Sequence, residues 1–198
     1  ALRNALWSLL KIHVWDHISL VPGYGGSFLT FSQNSLEKDL LTRLWLSHFK
    51  LPLDTLENDW PKMLARIREY FFDCEWYEVY DFLEFVANSY SRPGFKEQII
   101  KSSNSVLERE VSAYRFVNGL ISRITEEEQV AEIELALSKT RGPIQTHLRR
   151  ALELLSDRDA PDYRNSIKES ISAVEGLVTT VMGEKGTLGQ LLKNLEGQ

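Results

Sequence analysis

The chain is poor in the groups that fix a compartment or a reaction at sight. One cysteine, Cys74, occurs in 198 residues, so no intrachain disulfide can form. That fits a reducing cytoplasm. No apolar run approaches the ~18 residues of a membrane-spanning helix, and no signal peptide stands at the start. The expected setting is cytoplasmic, with no membrane partner. Basic surplus is missing too: Lys and Arg number 23 against 28 Asp and Glu, for a net charge of −5. Neither the part before Thr125 nor the part after it has the footprint of a dedicated nucleic-acid binder, which leaves room only for a local patch.

Metal-site patterns are lacking as well. Asp73, Glu75, Glu78, Asp81 and Glu84 interleave an aromatic run. Carboxylate bundle sites want Glu-x-x-His pairs on facing helices, and no Glu-x-x-His occurs. Steps of three turn each acid about 60° from the last, so the set winds round the helix. His13 and His17 stand one turn apart but lack a third ligand. The glycine-rich stretch VPGYGGS lacks the Lys-Ser/Thr ending of a phosphate loop and reads as a connection. Neither a metal nor a cofactor is expected. Cys74 sits among large aromatics with no cationic cluster beside it, the setting of an inert thiol.

What is present is helical periodicity. In PDYRNSIKESISAVEGLVTTVM, Ile167, Ile171, Val174, Val178 and Val181 recur in steps of four and three. This predicts a helix over 161–182, started by Pro161 with Asp159 as cap, and buried along that seam. Small residues Ser170, Ser172, Ala173 and Gly176 would let neighbours approach. Upstream, helices are predicted over 2–20, 34–49, 61–73, 75–90 and 95–112. Asn34 with Glu37 forms a capping pattern for the second, and Pro61 opens the third. Tyr114 to Ile124 then reads as a β-hairpin turned by Asn118-Gly119, the one convincing strand pair.

Every tryptophan lies within the first 76 residues, and after Phe116 the only aromatic is Tyr163. A ring-packed core thus gives way to an aliphatic one near Ile124–Glu126. The second part is predicted to hold helices over 125–139, 144–156, 161–182 and 187–195. Thr125 with Glu128, and Thr187 with Gln190, serve as caps. The expected fold is mainly α: an aromatic-rich helical domain over 1–124 carrying a small hairpin near 114–124, then a helical bundle over 125–198.

The run DYRNSIKESISAVEGLV, followed by GEKGTLGQLLKNLE, resembles the C-terminal domain of AbiJ-type abortive-infection proteins, a HEPN-like helical bundle. ALRNALWSLL, LDTLENDWPKMLARIREYFF, CEWYEVYDFLEFVANSY and VLEREVSAYRFVNG resemble the fourth type of AbiJ N-terminal domain. The resemblance implies bacterial anti-phage defence, answering a phage-derived trigger. It also implies metal-independent RNA cleavage by a homodimer of the full-length protein. HEPN-type ribonucleases use an arginine and a histidine four to six residues apart. A histidine can move a proton at the 2′-hydroxyl, and an arginine can meet charge developing on phosphate.

Two pairs have that spacing here, Arg43 with His48 and Arg141 with His147. The second lies in the HEPN-like part and is the candidate catalytic pair, although Gly142-Pro143 interrupts the helix between them. The family's own Arg-His element is expected beyond residue 198, so that this stretch alone would be inactive and the chain a piece of a longer protein. Arg149, Arg150, Arg164 and Lys168 are the candidate RNA-binding residues; the alternative is pairing with Glu153, Asp157 or Glu169 on solvated faces. The rival function is a non-catalytic sensor or dimerisation module of a defence system.

Overall fold

The computed structural model describes residues 1–22, 29–31, 35–124, 126–183, 186, 188–190 and 193. Helices dominate, and the chain divides into two compact units, Ala1–Ser112 and Ala113–Gln198. No helix among the described residues is long and apolar enough to cross a membrane.

The first unit begins with α1 (Leu2–His13), which leaves helical geometry at Val14 and continues as a 3₁₀ turn, Trp15–His17. Trp7, Leu10, Val14 and Ile18 are all buried as their spacing predicts, although the helix stops short of residue 20. The chain then forms β1 (Leu20–Pro22), paired antiparallel with β2 (Leu29–Phe31). This pair flanks the glycine-rich segment and is a second hairpin that alternation did not reveal, since three residues are too few to show a period of two. Helix α2 (Leu36–Arg43) is capped by Ser35, which accepts from the Lys38 N–H at 3.1 Å. The cap is thus one residue after the expected Asn34, which lies outside the described residues.

A π-helical turn, Leu44–His48, extends α2. Helix α3 (Trp60–Asp73) starts one residue before the expected Pro61, which stands in its first turn, and is capped by Asp59. Helix α4 (Trp76–Ser89) opens on a reciprocal Glu75–Glu78 capping box. Helix α5 (Phe95–Arg109) follows Gly94, whose φ of 71° suits a residue without Cβ. Val111, at φ 54° and exposed, turns the chain out of α5 in a conformation that β-branched residues disfavour. Rings fill the core: Trp7, Trp15, Trp45, Phe71, Phe82 and Phe95 are buried.

The second unit begins with β3 (Arg115–Val117) and β4 (Leu120–Ser122), antiparallel and joined by Asn118 and Gly119 with φ of 50° and 86°. Positive φ at both turn residues is what Asn-Gly supplies. Helices α6 (Glu127–Lys139), α7 (Gly142–Ser156) and α8 (Tyr163–Met182) follow. Val117, Ile124, Leu137 and Leu152 share one core, so the hairpin packs with the helices after it. Arg158 donates to the Ile121 carbonyl at 2.8 Å and ties the end of α7 to β4.

Two local expectations change here. Gly142-Pro143 begins α7 where it was expected to interrupt a helix, because proline in a first turn forfeits no hydrogen bond. Asp162 caps α8 where Asp159 was expected; its carboxylate accepts from Asn165 N–H at 3.0 Å. The Thr125–Glu128 box and the 187–195 helix fall wholly or partly outside the described residues.

The larger correction concerns α8. Four of the five residues of its expected seam face water: Ile167 is 61% exposed and Val181 75%, with Ile171 and Val174 also exposed and Val178 half-buried. The side turned to α7 carries Ser166 and Ala173, both buried, and Gly176, whose ideal Cβ would sit 3.2 Å from Ile144 Cγ1. Small side chains let two backbones close up, and Ser166 uses the approach to donate to the Ala151 carbonyl at 2.8 Å.

Candidate functional site

In the second unit the candidate pair is divided between two tasks. Arg141, the residue before α7, donates to the Ser138 carbonyl at 2.8 Å and the Thr140 carbonyl at 3.1 Å. It thereby satisfies acceptors at the end of α6, the place where a helix dipole favours a cation. His147, a turn and a half along α7, meets Glu169 of α8 with Nδ1 and Oε2 2.6 Å apart. No hydrogen bond or ion pair joins Arg141 to His147. A carboxylate-held imidazole is how a general base is oriented, yet Arg141, the phosphate-stabilising half of the expected pair, is engaged elsewhere.

Of the four candidate RNA-binding residues, Arg150 pairs with Glu153 at 3.0 Å. Arg149, Arg164 and Lys168 are exposed. Glu153 and Glu169 lie among them, so the surface is mixed in sign. Beside it, a cleft of about 240 Å³ opens between α6, α7 and α8, lined by Ile133, Leu137, Leu148 and Leu152 with Ser166 and Ser170. Both hydroxyls donate within the helices, Ser166 to Ala151 and Ser170 to the Ser166 carbonyl at 3.0 Å. The cleft suits apolar contact and offers no acid–base pair.

The first unit holds a second concentration of polar and aromatic groups around the other spaced pair. Arg43 is engaged with Asp39 one turn back, at 2.9 Å. His48 closes the π-helical turn, a form often found where side chains must be re-aimed. Its Nε2 lies 3.1 Å from the Tyr70 hydroxyl, and the rings of Phe49, Phe82 and Phe85 pack around it. The turn also brings Trp45 and Phe49 against α3. There Arg66 lies over the Trp45 ring at 4.9 Å, and Phe49 meets Tyr70 edge-on at 4.8 Å. A cavity of about 210 Å³ is lined by Trp45, Phe49, Leu51, Arg66, Ile67 and Tyr70. Spacing rules single out His48 but not Tyr70 or Arg66, whose partners lie in another segment.

Burial in this cage lowers the His48 pKa below its ordinary value, with Asp81 and Glu78 opposing. The unfolded chain therefore takes up a proton here more readily than the folded one. Stability from this source is whole above about pH 6.5 and drains away as pH falls through the lowered native value. The urea midpoint read by tryptophan fluorescence is expected to drop between about pH 7 and about pH 5. His48→Gln should shallow that drop. His13, also lowered by burial and by Arg92 and His17, keeps part of it. An unchanged slope in the variant would rule His48 out as its source.

Cys74 is half-buried, its thiol 3.6 Å from the Phe71 carbonyl, and burial pushes its pKa up. That is the reverse of an activated nucleophile. Among the described residues no three His, Cys, Asp or Glu side chains are grouped to hold a metal ion.

A family model described as AbiJ N-terminal domain 4 covers residues 1–139, reaching from α1 through α6. No curated protein and no solved structure matches the chain.

Proposed function

Because the chain belongs to the AbiJ N-terminal domain 4 family, we propose that it serves bacterial abortive infection, and that these residues act by assembly and not by catalysis. The observation that carries the reading is the exposed apolar face of α8: Tyr163, Ile167, Ile171, Val174, Leu177 and Val181 all stand in water. A 20-residue helix is about 30 Å long, so a stripe roughly 10 Å wide presents about 300 Å². Patches of that size on a monomer often mark interaction sites. A stable interface needs about 800 Å² from each partner, so α8 would be its centre and the neighbouring surfaces its rim. A second copy of the chain is the proposed occupant, in keeping with a HEPN-like bundle that works as a homodimer. Sedimentation at rising concentration should show dimer, and Ile167→Asp with Val181→Asp should leave monomer while helix content holds. Monomer at every concentration would remove the reading.

The second reading is metal-independent cleavage of RNA by the full-length homodimer. It is favoured by the resemblance of residues 162–178 to the HEPN-like domain and by the carboxylate that orients His147. Incubation of these 198 residues with tRNA and mRNA is expected to leave both intact, with or without EDTA. Cleavage that disappears in His147→Ala would sink the assembly reading and establish the enzyme.

A further inference from the structure

We propose that the cavity between the π-helical turn and α3 in the first unit is a nucleotide site, taking a single-ring base among its aromatic walls and the phosphate on Arg66. Three of its six lining side chains are rings, Trp45, Phe49 and Tyr70, and Leu51 and Ile67 complete an apolar interior. The one charged lining group is a cation. Aromatic walls with an arginine at the edge are what a base and its phosphate require.

Size decides how much of the ligand enters. An apolar cavity of about 150 Å³ holds one benzene. At about 210 Å³ this cavity admits one ring with its substituents and leaves no room for ribose phosphate inside. The phosphate must therefore remain at the mouth, where Arg66 is exposed. That guanidinium is already placed. It stacks on Trp45 at 4.9 Å, and one of its nitrogens donates to the Thr55 carbonyl at 3.3 Å. Arginine has five N–H donors in a fixed fork, so several remain for phosphate oxygens.

The walls are held from behind. Trp45 Nε1 donates to Thr55 Oγ1 at 2.9 Å, and the Tyr70 hydroxyl is engaged with His48. A pocket whose rings are pinned by second partners loses little freedom on binding. Tyr70 is the lining residue with a hydroxyl, and that hydroxyl is held by the His48 imidazole, which lies outside the lining.

The test is calorimetric titration of the 198-residue chain with uridine 5′-monophosphate, uridine, inorganic phosphate and a short oligouridylate. The monophosphate should bind one to one, and uridine about tenfold more weakly, the loss expected for a charged hydrogen bond. Arg66→Gln should weaken the monophosphate by about the same factor, and more than it weakens uridine. Leu51→Trp fills the cavity and should remove binding, with tryptophan fluorescence confirming that the unit is folded. Oligouridylate tighter than the monophosphate makes the natural ligand an RNA end; equal affinity makes it a free nucleotide. No binding at millimolar monophosphate, or equal affinity in Arg66→Gln and the wild type, would overturn the proposal. So would inorganic phosphate, or an aromatic carboxylate such as phenylacetate, binding as tightly as the monophosphate. The site rests on the first unit alone, so its failure leaves the assembly reading through α8 untouched.

Discussion

Phe82→Ala should lower the stability of the first unit by about 3–5 kcal/mol, near the top of the range for a single substitution. Phe82 is fully buried in α4. Its ring lies within aromatic contact of Trp15, His48, Phe49, Tyr70 and Phe71, at centroid distances from 5.4 to 6.5 Å. Those five come from the 3₁₀ turn after α1, the π-helical turn and its end, and α3. Removing one ring therefore opens a hole where four segments meet, and few of them can collapse into it without disturbing another contact. Domains of this size are stable by only about 5–15 kcal/mol, so the loss takes a large share of the total. With a urea slope of about 1–3 kcal/mol/M, the midpoint should fall by more than 1 M. All five tryptophans lie in this unit, so their fluorescence reports it alone. A change under 1 kcal/mol would mean that the rings form separate clusters and that Phe82 does not join them.

The helices of this unit were legible because their signals are local. Pro61 announces the start of α3, and of the stripe Phe72, Trp76, Val79, Leu83, Val86 and Tyr90 the last four are buried while Trp76 is exposed. Asn118-Gly119 announces a hairpin because few other residues tolerate positive φ twice in a row. The π-helical turn had no such mark. Leu44–His48 reads as a continuation of α2, and the partners of Trp45 and Phe49 on α3 lie in a distant segment. The strands of β1 and β2 were hidden for the opposite reason: they are too short for any period to show.

The site was legible only in pieces. Trp45 and Phe49 stand four apart, as do Arg66 and Tyr70, so each pair shares a helical face. Nothing in the linear order says that the two faces meet. The Arg141–His147 spacing could be found by counting, but counting does not show that the last carbonyls of α6 hold Arg141. For α8, periodicity identified a coherent apolar stripe and erred on its direction. A hydrophobic stripe tells which residues lie together; close approach of backbones is decided by which residues are small. Ser166, Ala173 and Gly176 take the α7 face, where even a Cβ at Gly176 would sit tightly against Ile144.

That choice of face makes the sharpest contrast between two substitutions on one helix. Ala173→Leu should destabilise the α7–α8 pair by about 1–3 kcal/mol, since three added carbons must enter a contact that is already closed. Ala173 is 2% exposed. Ile167→Ser, the change that a buried seam at Ile167 would make severe, should fall within about 0.5 kcal/mol of the wild type. Its side chain is mostly in water, and isoleucine and serine have similar helix propensity. The unit lacks tryptophan, so the measurement is amide hydrogen exchange across Gly142–Ser156, at dilutions where self-association is negligible. Faster exchange in Ala173→Leu with wild-type protection in Ile167→Ser is the expected pattern. The reverse pattern would put α8 back with its apolar stripe inward, and would take from the assembly reading the exposed face on which it stands.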